Sequence, residues 1–345
     1  MTSLELERTE IVTTELREIA KRSKTAIVAH KIYSNWRMKR QFERGNPEWI
    51  DGATHIKFSI DESLAYINWQ YDDYMQYGEL KPAMLRGKRI FELGFGDNIG
   101  VPLKFLAVCG ARQAVCLDKF YASRDEEQQR RIYLALRDTL SEEEKKRFDE
   151  AIDLTSGVET NPEKLKCIYG VNLEDASELI DAEPFDAIVS RGAVQDIYEP
   201  DAAFAAMDKM LARGGLMMHK IDLSDQKMFT NSGLHPLTFL TISEPVYRRM
   251  VIDTGRPNRK MLSYYRQKMA ELGYESKILI TEIIGRNGMG DLTPHRETVE
   301  RGADHVESAL ESVKKIRPRI RAEFRGLPDE ELIVGGIFLI AKKPN

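Results

Sequence analysis

The chain has 345 residues, 51 Lys plus Arg against 55 Asp plus Glu, and a formal net charge of −4. At 42% hydrophobic and 31% charged residues, its composition excludes wholesale disorder, a collagen-like repeat and a disulfide-rich scaffold. The slight acidity argues against a wide basic face for nucleic acid. No stretch has the roughly 18 apolar residues of a membrane span, and residues 1–21 lack the apolar centre of a signal peptide, so a cytoplasmic chain with no membrane partner is expected. Cys109, Cys116 and Cys167 each lie in or beside an apolar run and are expected to be reduced core thiols.

Residues 1–85 read as helical. Leu4, Ile11, Leu16, Ile19 and Ala20 fall near helical spacing, and a second helix over 61–80 carries Tyr66, Trp69, Tyr71, Tyr74 and Tyr77. That aromatic stripe is expected to pack, with a pocket roof as the alternative, and the whole segment serves as a lid or an oligomer contact. A homo-oligomer is therefore among the expectations.

From residue 86 onward, apolar strands alternate with helical stretches, the pattern of a doubly wound sheet covered on both faces. Strands are expected at 89–93, 114–118, 166–169, 185–190, 216–221, 276–284 and 332–341. Helices follow at 101–108, 125–140 and 202–212, with another starting at Ser141, where S-E-E-E forms a capping box. This gives one sheet domain over 86–345 with an insertion at 222–262. The basic run K-K-I-R-P-R-I-R-A-E-F-R, 314–325, is expected to be a solvated helical face.

Between the first strand and its helix lies R-I-F-E-L-G-F-G-D-N-I-G, 89–100. Gly94 and Gly96 permit a tight turn beside a ligand, with the helix N-terminus just beyond. The dinucleotide fingerprint G-x-G-x-x-G requires glycine at position 99, where this chain has Ile99. Glu92, two residues before the first glycine, suits a ligand bearing an ammonium group rather than a pyrophosphate. The second strand ends in Asp118, placed to accept hydrogen bonds from both hydroxyls of a ribose.

E-L-G-F-G-D-N-I-G followed by C-L-D-K-F resembles the first two motifs of class I S-adenosylmethionine-dependent methyltransferases. F-D-A-I-V-S-R-G (185–192), L-A-R-G-G (211–215) and the closing G-I-F-L-I-A-K-K-P resemble three further elements of that family. The resemblance implies a Rossmann-like α/β fold: seven strands, mostly parallel, with the last strand antiparallel and inserted between strands five and six. Asn98 stands where many members have a third glycine, and Arg213 replaces the usual proline. G-D-N-I-G together with N-R-K-M-L-S-Y-Y-R-Q-K-M-A-E-L-G-Y is similar to a bacterial subfamily associated with sugar and natural-product modification.

The resemblance implies S-adenosylmethionine as methyl donor and assigns roles by position. Glu92, Gly94 and Gly96 line the methionine moiety, with Asn98 on the same turn. Asp118 holds the ribose with Lys119 or Phe120 beside the adenine. Asn172 and Leu173 meet the adenine edge and ring, and Arg191 and Gly192 border the transferred methyl.

Methyl transfer from a sulfonium is an in-line displacement in which the protein positions the nucleophile and excludes water. For a hydroxyl acceptor a base is useful, and His219 or His235 is expected to fill that role, with Asp222 as orienter. Asp222 and Asp225 are also the candidates for a divalent cation, their alternative being helix capping. The apolar, arginine-rimmed insertion is expected to form the acceptor pocket, its lid or a subunit interface. The expected acceptor is a small-molecule or saccharide hydroxyl; the alternatives are a nitrogen acceptor, a non-catalytic S-adenosylmethionine-binding scaffold and an NAD-dependent oxidoreductase.

Overall fold

A computed structural model describes residues 23–46, 48–49, 54–178, 183–284, 293–294 and 304–345. The helix expected before residue 23 lies outside the described residues. Seven strands, β1 (Arg89–Leu93), β2 (Gln113–Asp118), β3 (Leu165–Tyr169), β4 (Phe185–Arg191), β5 (Leu211–Asp222), β6 (Glu275–Ile283) and β7 (Val334–Lys342), form one sheet. Their order is β3-β2-β1-β4-β5-β7-β6, and Thr293–Pro294 adds a two-residue antiparallel edge to β6. β1 to β5 pair in parallel, whereas β7 runs antiparallel to both β5 and β6. The closing strand is thus inserted between strands five and six, as the resemblance implies.

Every residue of β1 is buried, which requires cover on both faces of the sheet. Ile90 joins one core, and Phe91 and Leu93 join the other. The first core is built with helices α2 (Ile60–Tyr77), α3 (Gly100–Ala107), α4 (Glu126–Asp138) and α5 (Glu142–Ala151). The second is built with α6 (Pro200–Met210), α7 (Glu244–Val251), α8 (Leu262–Glu271) and α9 (Asp304–Ile316). Ile27 of α1 (Lys24–Glu43) joins this second layer. The capping box at Ser141 is present: Ser141 N–H donates to Glu144 Oε2 at 2.8 Å.

Two sequence expectations need correction. β5 begins at Leu211, because the L-A-R-G-G segment bonds to the chain end: Gly214 N–H donates to the Lys343 carbonyl at 3.1 Å, and Lys343 N–H donates to the Gly215 carbonyl at 2.9 Å. The basic run also does more than face solvent. Arg317 donates to Asp329 and to the carbonyls of Arg325 and Leu327, and Arg325 donates to the Ile320 carbonyl, so these guanidiniums satisfy turn carbonyls after α9 ends. All three cysteines are free, with Cys109 and Cys116 buried and Cys167 partly so. Among the described residues no helix is long and apolar enough to cross a membrane.

The N-terminal helices are fastened to the sheet domain by polar contacts. Asn35 of α1 is buried; its side chain donates to Asp253 Oδ2 at 2.8 Å and accepts from the Asp253 and Thr254 N–H groups. Ser59 caps α2 in a capping box with Glu62, and Tyr71 and Tyr74 pack on Phe105 while Tyr74 and Tyr77 pack on Phe338 of β7. Asp73 of α2 meets Arg191 at the end of β4 at 2.8 Å with both side chains buried, and the guanidinium lies 3.9 Å over the Trp69 ring.

Removing one partner of such a pair strands a buried charge, at a cost of about 3–5 kcal/mol. Asp73→Ala is expected to lower unfolding stability by that amount in denaturant titration. A loss below about 1 kcal/mol, the value of a surface pair, would show that the contact does not anchor α2.

Candidate functional site

The turn after β1 is built by two glycines and two carboxylates. Gly94 has φ +74°, and a Cβ there would lie 2.3 Å from the Ala193 Cβ, so only glycine lets β1 pass the turn that follows β4. Gly96 has φ +64°; its N–H donates to Asp118 Oδ2 at 3.0 Å, while Phe120 N–H donates to Asp118 Oδ1 at 3.0 Å. Asn98 holds the same turn from inside. Its Oδ1 accepts from Gly100 N–H at 2.7 Å and its amide donates to Gln129 Oε1 at 2.6 Å, so its side chain ties the turn to the start of α3 and to α4. Asp97 Oδ2 accepts from the His55 and Ile56 N–H groups at 2.8 and 3.2 Å, drawing residues 54–58 over the turn.

These elements enclose a cleft of about 690 Å³ at the C-terminal ends of β1, β2 and β4, where ligands bind in open α/β sheets. Glu92, Gly94, Gly96, Asn98, Asp118, Lys119, Asn172, Leu173, Arg191 and Gly192 all border it. Tyr66, Ile67 and Gln70 of α2 border it too, so one side of that helix packs while the adjacent side roofs the cleft. Thr254 and Arg256 of the insertion form part of the opposite wall.

Glu92 is 6% exposed, and its Oε2 has no hydrogen-bond partner among the described residues. Burial, followed by the nearby Cys167 and Asp118, pushes its carboxyl up to about 8. The shift favours the protonated carboxyl at neutral pH, and a cationic ligand group beside Glu92 would favour its ionised form. Burial also raises Asp118, against the pull of the Phe120 and Gly96 N–H groups, Arg124 and Arg256. Each Asp118 oxygen retains accepting capacity beyond its one backbone bond. Lys119 donates to the Asp253 carbonyl at 2.9 Å, and the Arg191 side chain is committed to Asp73. Asn172 donates to Asp175 Oδ2 at 3.1 Å.

The catalytic and metal candidates read from the sequence lie elsewhere. His219 is fully buried within the sheet, hydrogen-bonded through Nδ1 to Ser190 Oγ at 2.8 Å, and burial depresses it to about 3. It does not border the cleft. His235 accepts from Leu237 N–H at Nδ1 (3.0 Å), which leaves Nε2 as the donor to Ser312 Oγ (2.7 Å). Nε2 thus fastens the insertion to α9, while Nδ1 holds the turn that His235 itself begins.

Asp222 accepts from Ser224 N–H at 2.7 Å, outside the cleft wall. Asp225 takes the N–H groups of Lys227, Phe229 and Thr230 and the Thr230 hydroxyl, at 2.6 to 3.1 Å. Both carboxylates organise turns. Among the described residues no group of three or more His, Cys, Asp or Glu is placed to hold a metal.

Among the titratable side chains in the cleft wall that escaped the sequence reading are His55 and Asp196. His55, packed edge-on against Phe58 and Tyr66, has an Nδ1 without a partner among the described residues and is held down by burial. Asp196 follows β4 on the short turn Val194–Asp196. It accepts from Gln226 Nε2 at 2.8 Å and lies 3.4 Å from Arg256 Nε. The G-A-V-Q-D string carried a signal, an acid just past a strand end, but without the backbone path nothing separated it from a surface acid.

No family model matches the sequence, and no curated protein matches it. Among solved structures, phosphoethanolamine N-methyltransferase 2 of Haemonchus contortus in complex with S-adenosyl-L-methionine is similar at 14% identity and TM-score 0.40, over 81% of this chain and 53% of that one. This chain therefore spans about half of that protein's length. The CurJ carbon methyltransferase is similar at 9% identity and TM-score 0.37, over 100% of this chain and 72% of that one. The plantazolicin methyltransferase BpumL in complex with S-adenosylhomocysteine is similar at 12% or less, namely 11% identity, with TM-score 0.38 over 97% and 100% of the two chains.

The wall formed by the insertion depends on one glycine. A Cβ at Gly255, where φ is +78°, would lie 1.2 Å from the Asp196 carbonyl oxygen. Gly255→Ala is expected to displace the turn bearing Asp196 and to lower stability by about 1–3 kcal/mol, measured by thermal unfolding. An unchanged midpoint would show that the two loops are not in contact.

Proposed function

We propose that the chain, whose strand order is that of the class I S-adenosylmethionine-dependent methyltransferase fold, binds S-adenosylmethionine in this cleft and methylates a hydroxyl of a small molecule or saccharide. The observation that carries this reading is Glu92: a buried carboxyl in the cleft wall with an oxygen lacking a partner, beside the glycine turn and near Asp118. An orphaned buried acceptor costs about 1–3 kcal/mol unless a ligand completes it. The ammonium of an amino-acid moiety does so, and Asp118 at the neighbouring strand end suits a ribose diol. When bound, the cofactor supplies an activated methyl on a sulfonium.

The residues of the chain bind, orient and exclude water. The Gly96 and Phe120 N–H groups fix the Asp118 carboxylate so that its remaining lone pairs meet the diol. The α2 roof and the insertion wall shield the reacting centre, which strengthens electrostatic interactions within it. A dinucleotide is disfavoured by Ile99 at the fingerprint position and by the Glu92 carboxyl at the turn.

Asp118→Ala is expected to weaken S-adenosylmethionine binding roughly tenfold to hundredfold, the range for hydrogen bonds to a charged group. Unchanged affinity by calorimetry would remove Asp118 from the site. Because Glu92 sits near 8 in the empty cleft and an ammonium favours its ionised form, binding at pH 7 should release most of one proton. Apparent binding enthalpy should then differ between buffers of different ionisation enthalpy in the wild type and not in Glu92→Gln. Incubation with S-adenosylmethionine and sugars or phenols, read by mass spectrometry for one added methylene, tests the hydroxyl acceptor.

A further inference from the structure

Asp196 stands where the reaction needs a group that the histidines cannot supply. It sits five residues after Arg191 ends β4, in the cleft wall with Gly192 and Ala193, and 28% of its side-chain surface is exposed. Three elements fix it. Gly255 presses against its carbonyl so closely that no Cβ fits, and Asn258 donates to the carbonyls of Val194 and Ile197 at 2.9 Å each, clamping the turn on both sides. Gln226 donates to Oδ1 at 2.8 Å from a left-handed backbone, φ +48°, followed by Lys227 at +63°.

Two successive non-glycine residues in that region are strained, and such strain persists only where the surroundings enforce it. Here Asp225 enforces it by gathering the N–H groups beyond. The strained segment thus delivers an amide to one oxygen of a carboxylate that faces the cleft.

Resting on the cofactor reading above, we propose that the Asp196 carboxylate faces the methyl group in transit and takes the proton of the acceptor hydroxyl. In this step the acceptor O–H proton passes to an Asp196 oxygen as the new O–CH3 bond forms. The methyl–sulfur bond breaks, its electron pair stays on sulfur, and neutral S-adenosylhomocysteine remains. The positive charge of the sulfonium leaves as the proton on Asp196.

The charged and titratable groups facing Asp196 are Arg256 from the insertion, Asp222 at the end of β5 and Asp118 at the end of β2. Burial, then Asp222 and Asp118, raise its carboxyl to about 6, while Arg256 and the Gln226 hydrogen bond oppose the rise. Such a group is ionised at neutral pH yet basic enough to accept a proton.

A carboxylate facing a sulfonium favours S-adenosylmethionine over S-adenosylhomocysteine, and only while it is ionised. The test is the ratio of the two dissociation constants by calorimetry at low salt, from about pH 5 to about pH 8, where changes in Glu92 and Asp118 act on both ligands and cancel. In the wild type the preference for S-adenosylmethionine should rise on the order of tenfold as pH passes through about 6.

In Asp196→Asn the ratio should be flat with pH while S-adenosylhomocysteine still binds. In Gln226→Ala the rise should persist at a higher midpoint, because a hydrogen bond to the ionised form is lost. A pH-dependent preference retained in Asp196→Asn, or absent from the wild type, would overturn the proposal. Failure of the wild type to bind either ligand would instead overturn the cofactor reading, and this proposal with it.

Discussion

Glu92 leaves the sheet side by side with apolar neighbours, and the alternation of β1 dictates where it goes. Phe91 and Leu93 point into one core, so Glu92 must point into the layer built with α2, where Tyr74, Cys116 and Cys167 are its electrostatic neighbours. A carboxyl among such neighbours is costly to ionise, and a leucine would pack there without that cost. The rest of the site is arranged around it. Gly94 brings the turn past Ala193, Asp118 ties that turn to the end of β2, and α2 closes over the top through the Asp73–Arg191 pair.

The wall opposite the glycine turn is assembled from sequence far away, by contacts that tolerate little change. Asn35 bridges α1 to the backbone of residues 253 and 254, Lys119 reaches the Asp253 carbonyl, and Gly255 lies against Asp196. One short loop thereby contacts the N-terminal helix, the end of β2 and the turn after β4. Packed interfaces of this kind transmit small shifts rather than absorbing them, so a change in α1 should be felt at the turn bearing Asp196.

The glycine-turn side of the cleft was legible in the sequence because strand ends are fixed by local pattern. Apolar runs bounded by glycines set β1, β2 and β4, and the residues just past them must lie at one edge of the sheet. The base was not legible, because burial is a property of the assembled layers. His219 reads either as a base near the mouth of its strand or as a satisfied core histidine, and only the assembled layer, with Phe204 of α6 near its ring, places it in the core. His235 reads as a free loop residue, yet α9, more than 70 positions away, supplies the hydroxyl that occupies it. Asp225 reads as a metal ligand or a cap, and only the backbone path of 227–230 shows its carboxylate gathering the N–H groups of a turn. Nothing in the sequence marks Gly255, whose place shows only once the Asp196 carbonyl lies against it.

The central claim is that one cleft holds an amino-acid ammonium on Glu92 and a ribose on Asp118, with Asp196 facing the sulfur between them. A crystal structure of the chain soaked with S-adenosylhomocysteine tests it most directly. The account predicts the ligand's ammonium within hydrogen-bond distance of Glu92 Oε2, both ribose hydroxyls on Asp118, and the sulfur turned toward the Asp196 carboxylate. A nucleoside bound away from the β1 turn, or a Glu92 oxygen still without a partner in the complex, would contradict it.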